Sequence, residues 1–131
     1  MVAKDLRQVA AASAYPLDAF LFVQRGLDYT VRRTHGSRAE RRDADRDTCH
    51  VTGQQLCDGL KAYARQEYGL LARTVLRRWR VYSCEDFGRI VFAMVDAGLM
   101  HKTDDDTMDD FVGAFNFDET FDDVLTIGES A

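Results

Sequence analysis

The chain has 131 residues, 46% of them hydrophobic and 30% charged, with a single proline. That length suits one domain able to bury roughly 65–70% of the surface its unfolded chain would expose, and that apolar content excludes a wholly disordered chain. The formal net charge of −5 is unevenly placed: residues 1–100 carry 16 Lys/Arg against 12 Asp/Glu, while residues 101–131 carry one lysine against ten acids. A mildly basic body with an acidic tail points to an electrostatic partner, or to the tail folding onto its own body.

No apolar run approaches the ~20 residues of a membrane span, so no membrane partner is expected. The N-terminus lacks a basic leader and a small-residue cleavage site. Three cysteines, Cys49, Cys57 and Cys84, cannot all pair with one another, which suits a reducing compartment. The expected location is therefore cytoplasmic.

In chain order, Lys4 to Ser13 reads as a short helix ended by Tyr15-Pro16, because proline pushes the preceding residue away from helical angles. A second helix runs from Leu17 to Arg33, with Leu17, Phe20, Leu21, Gln24, Leu27 and Val31 on one stripe, widened by Phe22 and Val23. Residues 34–49 mix Arg, Asp and Glu without an apolar period and read as a charged, mobile connection or a frayed helical extension. Thr52 with Gln55 three residues later forms a capping box. It opens a helix whose core face is Leu56, Leu60, Ala64 and Tyr68, flanked by Cys57 and Tyr63.

Gly69 supplies the left-handed position that stops this helix. Leu70 to Arg78 restarts one, with Leu71, Ala72, Val75, Leu76 and Trp79 facing inward. Arg73, Arg77 and Arg80 lie on the opposite side with Arg78 beside them. After Val81-Tyr82, Ser83 caps a helix with Asp86 at the reciprocal position. This helix, running to Gly98, is apolar nearly all round: Phe87, Ile90, Val91, Met94 and Gly98 form one stripe, and Phe92, Val95 and Leu99 another. Only Glu85, Arg89, Ala93 and Asp96 make a polar strip, so the helix belongs in the core or under a partner. Thr103 reads as the cap of a further short helix with Asp104, Asp105 and Asp106 in its first turn. Phe111, Phe115, Phe117 and Phe121 pin the acidic segment 103–131 to the body, and Asp118 can cap one more helix.

The expected fold is thus all-α: a single compact domain over residues 1–131 with a helix-turn-helix-like core, and room for one minimal strand pair at His50-Val51 and Leu99-Met100. Groove reading of DNA is disfavoured, because the helix in the recognition position opens with Cys84, Glu85 and Asp86, and acids repel phosphates. Cys49, His50, Cys57 and His35 lack the spacing of structural zinc. The acids 104–109 lack the glycine and alternation of a calcium loop. No catalytic or phosphate-loop motif is present, so no catalytic residue, metal or cofactor is assigned and the expectation is a protein that is not an enzyme.

Three stretches, YPLDAFLFV (15–23), VTGQQL (51–56) and EDFGRIVF (85–92), resemble an uncharacterised family of short bacterial proteins, a similarity reaching over most of residues 15–121 and including the Phe-Asn-Phe-Asp of the tail. The resemblance implies a self-contained bacterial domain but no activity, cofactor or catalytic residue. It also implies glycine after the Trp79 position, where this chain has Arg80.

Three functional readings remain. The first is a binding or regulatory protein acting through the Leu70–Met100 helix pair, including a homodimer through Phe92, Val95 and Leu99. The second is nonspecific nucleic-acid binding through Arg73, Arg77, Arg78 and Arg80. The third is an enzyme whose site assembles only in space, from a buried polar cleft joining Asp28, Tyr29, His50 or Asp58.

Overall fold

The structure, a computed structural model, describes residues 5–35, 51–100 and 107–112. Five α-helices follow one another: α1 (Leu6–Ala11), α2 (Leu17–His35), α3 (Gly53–Tyr68), α4 (Ala72–Arg78) and α5 (Cys84–Asp96). Two short 3₁₀ turns, Gly69–Leu71 and Met108–Phe111, complete the described chain. The all-α architecture read from the sequence is what folds. Among the described residues there is no strand, and Leu99-Met100 forms a bend, so the strand pair expected there does not form from that side; His50 lies outside the described residues.

Local chemistry explains the helix starts. The Thr52/Gln55 box is closed in both directions: the Thr52 hydroxyl accepts the Gln55 N–H at 3.1 Å, and the Gln55 side chain accepts the Thr52 N–H at 2.8 Å. Ser83 and Asp86 form the expected second box. Two further boxes, Asp5/Gln8 and Thr107/Asp110, begin α1 and the last 3₁₀ turn. Each satisfies donors that a helix start otherwise leaves open. Extended backbone at Thr107 interrupts any helix running on from Thr103, whose cap position falls outside the described residues, as do Phe115, Phe117, Asp118 and Phe121.

The layers are set by small residues. α2 packs most extensively on α3, and its buried face is Ala19, Phe20, Phe22, Val23, Gly26 and Thr30. That face is rotated from the expected stripe: Gln24 is exposed, while Leu17, Leu21, Leu27 and Val31 are only half-buried. The cause is the close crossing with α3. A methyl group at Gly59 would collide with the Thr30 hydroxyl and stand 2.7 Å from Thr30 Cβ. The backbones approach where side chains are smallest, and the bulky residues move to the flanks.

α5 is the inner element. Cys84, Asp86, Phe87, Gly88, Ile90, Val91 and Met94 are all buried, which fits its apolar circumference. The 3₁₀ turn Met108–Phe111 lies against α5 and α3. Phe111 is buried on the bare backbone of Gly88, where an added Cβ would stand 2.8 Å from the Phe111 ring.

α4 ends in a left-handed turn. Val81 N–H bonds the Leu76 carbonyl at 2.9 Å and Arg80 N–H bonds the Arg77 carbonyl at 2.9 Å, the paired bonds of a Schellman cap. Leu76 and Val81, the hydrophobic pair of that cap, are both fully buried. The left-handed residue is Arg80 itself, at φ +63°. The turn that glycine would favour is therefore made without glycine, at the steric cost of a Cβ in that region. α5 ends the same way with Gly98 at φ +78°, and Leu99 N–H bonds the Met94 carbonyl at 2.8 Å.

Two substitutions test this account by chemical denaturation. Gly59→Ala should destabilise by about 1–3 kcal/mol through overpacking against Thr30; an unchanged midpoint would contradict the close crossing. Arg80→Gly should be neutral to stabilising by up to about 1 kcal/mol, and Arg80→Val clearly destabilising, because only glycine adopts the left-handed turn without strain.

Candidate binding surface

Gly69, at φ +50°, ends α3 and sends the chain into the 3₁₀ turn Gly69–Leu71 rather than directly into α4. A turn with three residues per repeat shifts the phase of everything after it. Leu71, expected inside, points out: Leu70 is 63% and Leu71 62% exposed. Ala72 and Leu76 are buried, and Val75 and Trp79 are half-buried, as the inward stripe of α4 requires. Thr74, Arg77 and Arg78 continue the outer side, Arg80 stands exposed on its left-handed turn, and Arg73 is half-buried. Tyr82, in the link to α5, is 61% exposed. The segment 70–82 therefore presents two leucines, three exposed guanidinium groups and a tyrosine to solvent.

The described part of the acidic tail does not neutralise this surface. Met108–Phe111 packs on α3 and α5, and no ion pair among the described residues joins Asp109 or Asp110 to Arg77, Arg78 or Arg80. Arg77 and Arg78 occupy the last turn of α4, where cations favour the negative end of the helix dipole by about 0.3–1 kcal/mol each. That small local gain accounts for their charge but not for the leucines beside them.

The start of α5 is committed to structure. Asp86 is buried, and its Oδ2 accepts the N–H groups of Tyr82 at 2.8 Å and Ser83 at 3.1 Å. Its Oδ1 accepts the Tyr15 hydroxyl at 2.5 Å and the Arg89 guanidinium at 2.8 Å. Burial first, and Asp86 second, push the Tyr15 hydroxyl above its ordinary 10.0, with Arg89 pulling the other way. An end so occupied, beneath Tyr15, offers nothing to a DNA groove.

Of the self-association candidates, Phe92, Val95 and Leu99 are each half-buried and packed against the core. The Phe92 ring stands edge-on to Phe111 at a centroid distance of 6.2 Å. They leave less open area than Leu70 and Leu71.

Among the described residues, Asp28, Tyr29 and Asp58 do not meet in a buried polar cleft: Asp28 and Tyr29 border an open one on α2, without Asp58. Asp28 is exposed and pairs with Arg32 at 3.5 Å on the outside of α2; Asp58 is exposed on α3, and His50 lies outside the described residues. Cys57 is fully buried against Cys84, so it is not placed to ligate a metal from solvent, and no cluster of three metal-ligating side chains occurs among the described residues. Nor is any described helix long and apolar enough to cross a membrane. Compared with known proteins, the chain matches no family model, no curated protein and no solved structure.

The exposure of Leu71 was the feature that helical periodicity missed. Its signal was present: two leucines directly after a glycine stop lie at a phase break, where a period carried across from either side does not hold.

The buried ionisable groups make two predictions. Asp86→Ala should cost about 1–3 kcal/mol, because it leaves the Tyr15 hydroxyl and the Tyr82 and Ser83 N–H groups without their acceptor; a loss below about 0.5 kcal/mol would demote the network. The second concerns alkali. Contact with Cys84, and then burial, push the Cys57 thiol above its ordinary 9.0, as burial does Tyr15 above 10.0. The fold keeps protons that the unfolded chain releases, so this stability is complete below pH 9.0 and declines as pH rises beyond it. Urea midpoints should be level at neutral pH and fall above 9.0, with a shallower fall in Cys57→Ala.

Proposed function

We propose that the protein is a non-enzymatic binding domain whose contact surface is the outer side of residues 70–82. The observation that carries this reading is the pair Leu70 and Leu71, each more than 60% exposed, in one short segment with Arg77, Arg78 and Arg80. Single exposed leucines are ordinary on protein surfaces. Two adjacent ones, beside a cluster of one charge sign, match an apolar patch with a polar rim.

The occupant that fits is an acidic amphipathic helix from a partner protein. Its apolar stripe would cover Leu70 and Leu71, and its carboxylates would meet Arg77 and Arg78 about two helical turns, roughly 10 Å, further along. Covering a leucine side chain contributes about 1.5–3 kcal/mol, so the leucines supply affinity. The exposed arginines supply steering and salt dependence. A cytosolic bacterial setting, as the sequence resemblance implies, is consistent with such a role.

Photo-crosslinking in cells tests this. A benzoylphenylalanine at Leu71 should capture one dominant protein that the same probe at exposed Gln66 does not. The purified complex should then weaken about tenfold or more in Leu70→Ala/Leu71→Ala. Identical capture at the two positions would remove the proposal.

The second reading, nucleic-acid binding through Arg73, Arg77, Arg78 and Arg80, is favoured by the exposed Tyr82 two residues after Arg80, a ring able to stack on a base. It requires binding that falls steeply with salt, and a smaller salt slope in Arg77→Ala/Arg78→Ala/Arg80→Ala.

A further inference from the structure

A second surface, whose lining shares no residue with 70–82, lies along α2. Arg25, Tyr29 and Arg33 are spaced four apart and share a helix face with Asp28 and Arg32. Tyr63 of α3 forms the facing wall, and the two elements enclose an open cleft of about 560 Å³. That volume lies within the range of small-molecule sites.

The lining combines two chemistries. The Tyr29 and Tyr63 rings are 5.3 Å apart and tilted by 44°, in an aromatic run that continues from Tyr63 to Phe22 and Trp79. Both tyrosines are only half-buried, so part of each ring faces the cleft. Around them stand three guanidinium groups and one carboxylate. The carboxylate, Asp28, is held by Arg32 at 3.5 Å with both side chains about two-thirds exposed, a screened pair that an incoming anion can reopen. The Arg33 guanidinium lies 5.5 Å from the Tyr29 ring centre, placing a cation beside an aromatic surface.

A simple anion would use the arginines and leave the rings idle. A neutral apolar ligand would desolvate the guanidinium groups without pairing them. A flat ring carrying a phosphate uses both. We propose that this cleft binds a nucleoside phosphate, free or as a unit of a single strand, with the base against Tyr63 and Tyr29 and the phosphate held by Arg25 and Arg33. Arginine's planar fork suits phosphate oxygens, and base–aromatic stacking tolerates any base.

Calorimetric titration of the full chain at low ionic strength with adenosine monophosphate, a short oligothymidylate and inorganic phosphate tests the assignment. At least one of the first two should bind more tightly than phosphate: an oligothymidylate preference identifies a strand, and equal binding identifies the free nucleotide. Arg25→Ala/Arg33→Ala, at exposed positions that leave the fold intact by circular dichroism, should weaken binding about tenfold or more. Tyr63→Leu should weaken it about fivefold or more, while Arg77→Ala/Arg78→Ala should leave it unchanged, separating this site from the surface of residues 70–82. No binding of either nucleotide probe, phosphate binding as tight as the nucleotide, or undiminished binding by Arg25→Ala/Arg33→Ala would overturn the proposal.

Discussion

The Asp86 carboxylate is the interaction on which the arrangement of this domain depends. It is an acid in the first turn of the most deeply enclosed helix, a position where an unpaired charge would cost several kcal/mol. It is tolerated because its oxygens meet donors from three places: the backbone ahead of α5, the Tyr15 hydroxyl before α2, and Arg89 one turn later. One side chain thereby sets where α5 begins and how the N-terminal segment lies across it. No buried side-chain polar atom among the described residues is left without a partner, so the apolar helix is enclosed without a polar debt.

With α5 placed, the outer elements are positioned by how closely backbones can approach. The Gly59–Thr30 crossing draws α2 onto α3, and Gly88 gives Phe111 a flat seat. Larger side chains move outward in consequence. The aromatic run from Tyr29 through Tyr63 and Phe22 to Trp79 is one product: the rings fill the flank of the tight crossing while their edges stay near solvent. The open cleft beside it is bordered by Tyr29, Tyr63 and the arginines of α2.

The surface of residues 70–82 comes from turn geometry rather than from packing. A positive φ at Gly69 and another at Arg80 bracket α4. The first releases Leu70 and Leu71 from the core phase, and the second carries Arg80 and Tyr82 outward. Both candidate surfaces thus join exposed cations to apolar or aromatic groups, but their linings rest on different elements, and the ligands proposed for them differ accordingly. The half-buried Phe92 edge, beside Phe111, is poorer in both respects.

The sequence by itself determined the class of fold, most helix boundaries and the enclosure of α5. These follow from local chemistry: reciprocal caps at Thr52/Gln55 and Ser83/Asp86, glycine stops, and an apolar circumference that water cannot accept. Tertiary structure alone decided the rotation of α2 and the meeting of Tyr15 with Asp86, 71 residues apart. Periodicity identifies which residues are apolar, but not which backbones come close enough to exclude a side chain. That exclusion depends on contacts between distant segments, and it rotates a helix by one position without altering its pattern.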